Sequence, residues 1–408
     1  MDSISMVPIG LLLLVACLIA IISRRLGLPY SVGLVAAGLL IAIIPEAPRL
    51  APPRDVIFNI LLPPLVFEAG LQLPWKPFRT ELPLTLTLAF AGVTLAAAVV
   101  SSGMHYLLGW SWLGASIFAV LIAATDPVSV IAAFKEMNAD RRLCMLVESE
   151  SLLNDGVAAV GFAILAAVAA GASVQMTSLV PAFLWTLIGG SLIGGAISGL
   201  ILLIAGRTKD HMVEITLTTL AAYGSFFIAQ RLNSSGVLAS LTAGLMIGNL
   251  GARGPISEAG RPHVIAAWEF FAFVANSFVF LLIGIQLAGV GISRLGWITA
   301  GSAILFVLIG RAITVYPLSA LFRASKLKVP ASYQHVLFWG GLRGALALAL
   351  ALTLPRAMPE RAPIILSAFV VVAFSIFVQG LTMPSLVRRL GLTRSQSPNQ
   401  VAASSGRP

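Results

Sequence analysis

The chain consists of long apolar runs broken by charged residues, prolines and glycines. A bilayer core needs ~20 apolar residues per helix. Bounding the runs by that punctuation predicts thirteen membrane helices. Their approximate limits are 4–23, 28–45, 55–73, 81–103, 112–134, 144–170, 178–206, 212–231, 235–249, 264–289, 296–322, 332–354 and 363–387. The fold class expected is therefore an all-α polytopic membrane protein with short loops. Asp2 precedes the first run and Arg24 and Arg25 follow it, which argues against a cleaved signal and puts the N-terminus outside. With loops alternating, eighteen Lys and Arg fall on the inner side, Lys76, Arg79, Lys135, Arg142, Arg394 and Arg407 among them. Six fall on the outer side: Arg49, Arg54, Arg231, Arg294, Arg356 and Arg361. A missed helix would invert every later loop, so this bias supports an odd number of spans with the C-terminus inside. Residues 391–408 are rich in Ser, Gln, Pro and Asn and read as a disordered tail.

Composition narrows the class. Of 408 residues 58% are apolar and only 10% charged, against ~25% charged in a soluble domain. That excludes a disordered chain, a nucleic-acid-binding module and a soluble enzyme. The net charge of +10 reflects the positive-inside bias rather than nucleic acid. Cys17 and Cys144 are too few for a disulfide scaffold or a thiolate metal site. No GxxxxGK[ST] loop is present, so no nucleotide partner and no ATP-driven step is expected.

The informative residues are charges where lipid should be. Glu68, Asp126, Glu148, Glu150, Asp155, Glu269, Arg311 and Arg343 fall inside expected spans. At ~2.5–3.5 kcal/mol each at mid-helix they would sum to about 20–28 kcal/mol, more than a typical stability of ~5–15 kcal/mol. They must pair or line a wet cavity, where carboxylates serve protons and cations. Glu148 and Glu269 also suit a helix-end position reaching the interface. In span 6, Ser151, Asn154 and Asp155 share one helix face, offering hydroxyl, amide and carboxylate oxygens suited to a hard cation. Glu150 lies at the edge of that face. In span 5, Pro127 removes an N–H and pushes Asp126 out of helical geometry, so the helix should break at Thr125-Asp126-Pro127. Broken backbone at this depth is tolerated within protein or at a cavity. Gly340, Gly341 and Gly344 weaken span 12 likewise. Spans 5 and 12 are fifth in two six-helix halves joined by span 7, and such halves must be inverted repeats. In span 3, Pro63 and Pro64 free the carbonyls of Asn59 and Ile60 beside Glu68. Gly190, Gly194, Gly195 and Gly199 in span 7 read as a packing face. His105, His211, His263 and His335 read as ordinary span-end groups.

Phe67-Glu68-Ala69-Gly70, Thr125-Asp126-Pro127, Glu150-Ser151-Leu152-Leu153-Asn154-Asp155-Gly156 and Gly340-Gly341-Leu342-Arg343-Gly344-Ala345 together resemble the signature set of sodium/proton antiporters. The similar branch is the prokaryotic NhaP type, related to animal sodium/hydrogen exchangers. The resemblance implies a dimer working in the inner membrane of a bacterium, with lipid and monovalent cations as partners and no cofactor. It implies spans 1–3 in a dimer bundle and span 4 in the core within 1–103, core spans 5–6 in 104–175 and a linker in 176–207. Dimer-bundle spans 8–10 then fill 208–290 and core spans 11–13 fill 291–390. By the same resemblance Asp155 carries the ion and the proton. Thr125 (through its carbonyl), Ser151, Glu68 and Asp126 complete the cation shell, Asn154 orients it, and Glu150 pairs with Arg343. Glu148 and Glu269 would line the inner funnel. Ser149 departs from the usual glycine of the pattern. Electrogenic relatives place an aspartate at the position of Asn154, so the resemblance implies one-for-one exchange of Na⁺ for H⁺. A K⁺ or mixed-cation exchanger is the alternative within the class, and a channel or membrane-embedded enzyme the alternative outside it.

Overall fold

The computed structural model describes residues 6–26, 29–43, 56–127, 130–131, 134, 137–171, 181, 183–288, 294–355 and 358–393. The expectations placed on Asp2, Arg49, Arg54, Lys135, Arg356, Arg394 and Arg407, and on the tail beyond Thr393, lie outside these residues. Among the described residues the fold is helical, with one isolated bridge, Ala139 to Thr393, and no strand.

Helix occupies each expected stretch. The elements are α1 (Met6–Leu26), α2 (Tyr30–Ile43), α3 (57–72), α4 (Trp75–Leu108), α5 (Trp112–Ala123), α6 (Arg141–Ala169), α7 (Trp185–Ala205) and α8 (His211–Arg231). They continue with α9 (Gly236–Leu250), α10 (Gly260–Ala288), α11 (Arg294–Leu321), α12 (Ala331–Trp339), α13 (Ala345–Leu352) and α14 (Arg361–Arg389). Among the described residues seven of these helices are long and apolar enough to cross a membrane.

Polar side chains fix the helix ends. The orphan N–H groups of a first turn need acceptors, and Ser111, Asp140, Asp210 and Ser235 supply them to α5, α6, α8 and α9. Gly109 ends α4 at φ +68°, a left-handed position open to glycine. α4 starts at Trp75 rather than near 81 and runs through Pro83. Glu81 therefore lies inside it, 6% exposed, and takes Arg142 of α6 at 2.6 and 3.1 Å. α3 opens with a π-helical turn, Ile57–Leu61, and Pro63 and Pro64 begin its α-helical part. The carbonyl of Ile60, freed by Pro64, accepts the Tyr223 hydroxyl at 2.9 Å. Glu214, fully buried in α8, accepts the Ser257 N–H at 2.8 Å just ahead of α10.

The most extensive packing joins α4 to α11, α2 to α10 and α3 to α9. Exchange of the two halves turns the α2–α10 pair into α9–α3 and returns α4–α11 to itself, so the packing carries the two-fold pattern of a repeat. Both crossing pairs depend on backbone contact. A Cβ at Gly38 or Gly284 would strike the carbonyls of Leu281 or Val35. At Gly244 or Gly248 it would strike those of Phe67 or Leu71. Such close approach is the usual basis of helix association in lipid, where apolar burial gives no driving force. Gly190 and Gly194 of α7 press likewise on Ser235 and Ala239, whereas nothing lies near a Cβ at Gly199.

One expectation is corrected. The tail does not begin as disorder at 391: the Asp140 N–H donates to Leu392 at 3.3 Å, and Ala139 bridges Thr393. Backbone pairing against the turn before α6 orders these first residues. Span 12 breaks, as its glycines lead one to expect, into two short helices separated by five non-helical residues, 340–344, because three glycines within five positions weaken the helix there.

Candidate functional site

The site forms where the two broken spans cross. α5 stops at Ala123, and 124–127 run non-helically. Helical geometry resumes with the bond from the Ile131 N–H to the Pro127 carbonyl. α12 stops at Trp339 and α13 starts at Ala345. The two irregular segments meet through one backbone hydrogen bond, Asp126 N–H to the Leu342 carbonyl at 2.7 Å. Asp126 packs directly on Gly344, the residue ahead of α13, where any Cβ would collide with it. A carboxylate at a helix N-terminus is favoured by the helix dipole.

The opposite ends of these half-helices carry unsatisfied carbonyls and partial negative charge, and each receives an arginine. Arg343 donates from Nη1 to the carbonyls of Ala123 at 2.6 Å and Ala124 at 3.3 Å, at the end of α5. Arg311, reaching in from α11, donates to Leu337 near the end of α12 at 2.8 and 3.2 Å. The same guanidinium grips both oxygens of Glu150, at 2.6 and 2.8 Å. This corrects the expected Glu150–Arg343 pair. Arg343 stands on non-helical backbone from which its guanidinium reaches the α5 carbonyls, while α11 packs where Arg311 meets Glu150. Burial makes the Arg311–Glu150 pair strict, since Glu150 is 1% and Arg311 7% exposed.

From Glu150 a polar chain runs to the break. Asn154 donates to Glu150 at 2.6 Å and faces the Thr125 hydroxyl at 3.4 Å, and Thr125 donates to Ser151 at 2.9 Å. Thr125 and Asp155 line one cavity. Oδ1 of Asp155 and Oδ1 of Asn154 are buried with no hydrogen-bond partner in the structure. Ser149 returns its hydroxyl to the Met145 carbonyl at 2.6 Å, so the departure at that position leaves the site face untouched.

Asp155 opens on a cavity of about 360 Å³. The cavity brings together Glu68, Thr125, Asp126, Glu148, Asp155 and Glu269, from α3, the break, α6 and α10. Ser151 and Asn154 stand behind Thr125, outside the lining, and Glu150 and Arg343 lie farther back. Five carboxylates and no Lys or Arg line the cavity among the described residues. An acid-walled cleft with low-dielectric sides concentrates cations. Glu148 is seven residues before Asp155 on α6, ~10 Å along the helix, so the acids are spread through the depth of the cavity.

Sequence reading missed Gln72. Its amide donates to Glu68 at 2.5 Å and to Glu269 at 3.2 Å, tying two cavity acids from different helices. The i,i+4 spacing from Glu68 was the available signal. The partner of Arg311 was missed too, and the presence of a lone charge in an apolar span was its only trace. Tyr30, at the cavity wall, stacks on Phe273 and hydrogen-bonds Ser277 at 2.7 Å, which no local pattern announces.

Crossed broken helices, a carboxylate with an unsatisfied oxygen and an acid-lined cavity inside an apolar helical body define a membrane ion carrier by construction. The chain belongs to the family described as sodium/hydrogen exchanger, transmembrane, which it matches over residues 11–389. It is 38% identical over 369 residues to the Na⁺/H⁺ antiporter ApNhaP of Aphanothece halophytica, covering 90% of this chain and 70% of that one. To the Na⁺/H⁺ antiporter NhaP of Pseudomonas aeruginosa it is 32% identical over 396 residues, covering 90% and 92%. Its fold matches the sodium proton antiporter MjNhaP1 of Methanocaldococcus jannaschii with a TM-score of 0.76 at 17% identity, over 94% of this chain and 97% of that one.

Proposed function

We propose that this protein exchanges Na⁺, or Li⁺, for H⁺ across the inner membrane of a bacterium, one for one, by alternating access. The observation that carries the reading is Asp155, a carboxylate with an unpartnered oxygen at the crossing of the broken helices and open to an acid-lined cavity. A proton or a cation each neutralises it, and a bare carboxylate is costly to move through a low-dielectric barrier. The carrier therefore moves when loaded and stalls when empty, and that coupling links the two fluxes. Thr125, Ser151, Glu68, Asp126 and Asn154 shape the cation shell, and Glu148 and Glu269 draw cations in. Asn154 carries no proton, which supports a one-to-one ratio. No cofactor takes part.

The same reading sets the architecture. Thirteen spans, N-terminus outside and C-terminus inside, form two inverted six-helix repeats. A core of spans 4–6 and 11–13 moves against a bundle of spans 1–3 and 8–10 that pairs with a second copy of the chain. The two-fold packing pattern of α2–α10 and α3–α9 supports the repeat.

The test is dissipation of an imposed ΔpH in proteoliposomes with the membrane potential clamped, on addition of Na⁺, Li⁺ or K⁺. Responses to Na⁺ and Li⁺ are expected. A response to K⁺ alone would replace this reading with K⁺/H⁺ exchange, and a voltage-driven current without ΔpH would replace it with a channel.

A further inference from the structure

We propose that the π-helical turn Ser375–Gly380 in α14 is a positioning device for the ion site: through Ser375 and Gln379 it holds the break of span 12 in the shape that sets Thr125 and Asp126 opposite Asp155. The proposal rests on the exchange reading above. Its residues line no part of the cavity around Asp155.

α14 is α-helical to Phe374 and then widens over Ser375–Gly380, a stretch that contains no proline. Turns of this kind are uncommon and cluster at functional places. Here the turn grips both ends of the break. Ser375, fully buried, accepts the Arg343 N–H at 3.0 Å, and its hydroxyl faces the carbonyls of Arg343 at 3.0 Å and Val372 at 2.9 Å. Gln379, 4% exposed, donates to the Trp339 carbonyl at 3.2 Å. The irregular segment 340–344 is thus fixed where it leaves α12 and again at Arg343, two residues before α13.

Two bonds carry that shape onward to the other break. The Leu342 carbonyl takes the Asp126 N–H at 2.7 Å, and the Arg343 guanidinium takes the carbonyls of Ala123 and Ala124. Thr125, between these anchored residues, lines the same cavity as Asp155. Ser375 is therefore two contacts from the ion site without touching it. The arrangement has a counterpart in the first half. Thr125, in the break of span 5, donates to Ser151 of α6, and α6 and α14 are the sixth members of the two halves. Each broken span is held by a serine of the span that follows it. A site whose ligands are backbone groups on irregular segments has no helix to keep them in place, so it relies on such side-chain anchors.

The test compares Ser375→Ala, Ser375→Thr and Gln379→Ala with Ser367→Ala. Ser367 is a fully buried serine of the same helix whose hydroxyl has no partner in the structure. Two readouts are taken on the full-length protein: the Na⁺ concentration for half-maximal ΔpH dissipation in proteoliposomes, and the Na⁺ concentration that half-saturates thermal stabilisation in detergent, which needs no transport. Ser375→Ala should raise both by about fivefold, the scale of one buried hydrogen bond. Ser375→Thr should restore them. Gln379→Ala should move them less in the same direction, and serves if Ser375→Ala does not fold. Ser367→Ala should leave them unchanged. Unchanged Na⁺ dependence in both Ser375→Ala and Gln379→Ala, or an equal shift in Ser367→Ala, would overturn the proposal. Absence of Na⁺-driven ΔpH in the wild type would instead overturn the exchange reading, and the stabilisation readout keeps the two failures apart.

Discussion

Arg311→Ala should be among the most damaging single changes in this protein, and its effect should be erased by a second change at Glu150. Arg311 makes two bonds to the Glu150 carboxylate, at 2.6 and 2.8 Å, and two to the Leu337 carbonyl. With Glu150 only 1% exposed, truncation of Arg311 strands a buried carboxylate. Breaking a buried pair by removing one partner typically costs ~3–5 kcal/mol, mostly the penalty of the charge left behind. At ~2.1 cal/mol/K of unfolding entropy per residue, a chain of this length loses about 4–6 °C in Tm for that free energy. Arg311→Ala with Glu150→Ala removes both charges and should regain most of the fall, a coupling of several kcal/mol in a double-mutant cycle. Arg343→Ala with Glu150→Ala should give a much smaller coupling, because Arg343 donates to the carbonyls of Ala123 and Ala124 instead. Thermal unfolding of the detergent-solubilised variants measures all four corners. Additive losses for Arg311 and Glu150, or a larger coupling of Glu150 to Arg343, would refute the assignment of the pair.

Other outcomes follow from the same geometry. Asp155→Asn should abolish Na⁺-driven ΔpH in proteoliposomes while leaving Tm within about 1–2 °C of wild type, since the amide keeps the shape and removes the charge; retained exchange would reject Asp155 as carrier. Transport on a supported membrane should give no steady Na⁺-driven current, because Asn154 holds no proton; a current matching the proton flux would mean that Asp126 or Glu68 cycles as well. Gly284→Val should push α10 away from α2, where the added Cβ meets the Val35 carbonyl, and lower stability by at least ~1–3 kcal/mol, the usual scale of overpacking; an unchanged melting curve would show that the crossing is not tight.

The features legible in the sequence are those written by neighbours along the chain. Helix follows from runs of ~20 apolar residues, and the break at Ala124–Pro127 follows from a ring that cannot donate and disfavours helix before it. The glycines at 340, 341 and 344 mark the second break for the same local reason. The shared face of Ser151, Asn154 and Asp155 is fixed by helical periodicity alone. The tertiary structure decided what crosses between elements. Glu150 and Arg311 stand 161 positions apart, and Arg343 reaches a carbonyl 220 positions away. Their place in apolar spans marks both arginines as buried charges but says nothing about which helix end each one caps. That choice depends on the direction in which the non-helical backbone at Arg343 releases its side chain and on the register of α11 against its neighbours. Neither is encoded by spacing within one segment. The grip of Ser375 and Gln379 on the broken span belongs to the same class, because a widened turn acquires its role only from the segment packed against it.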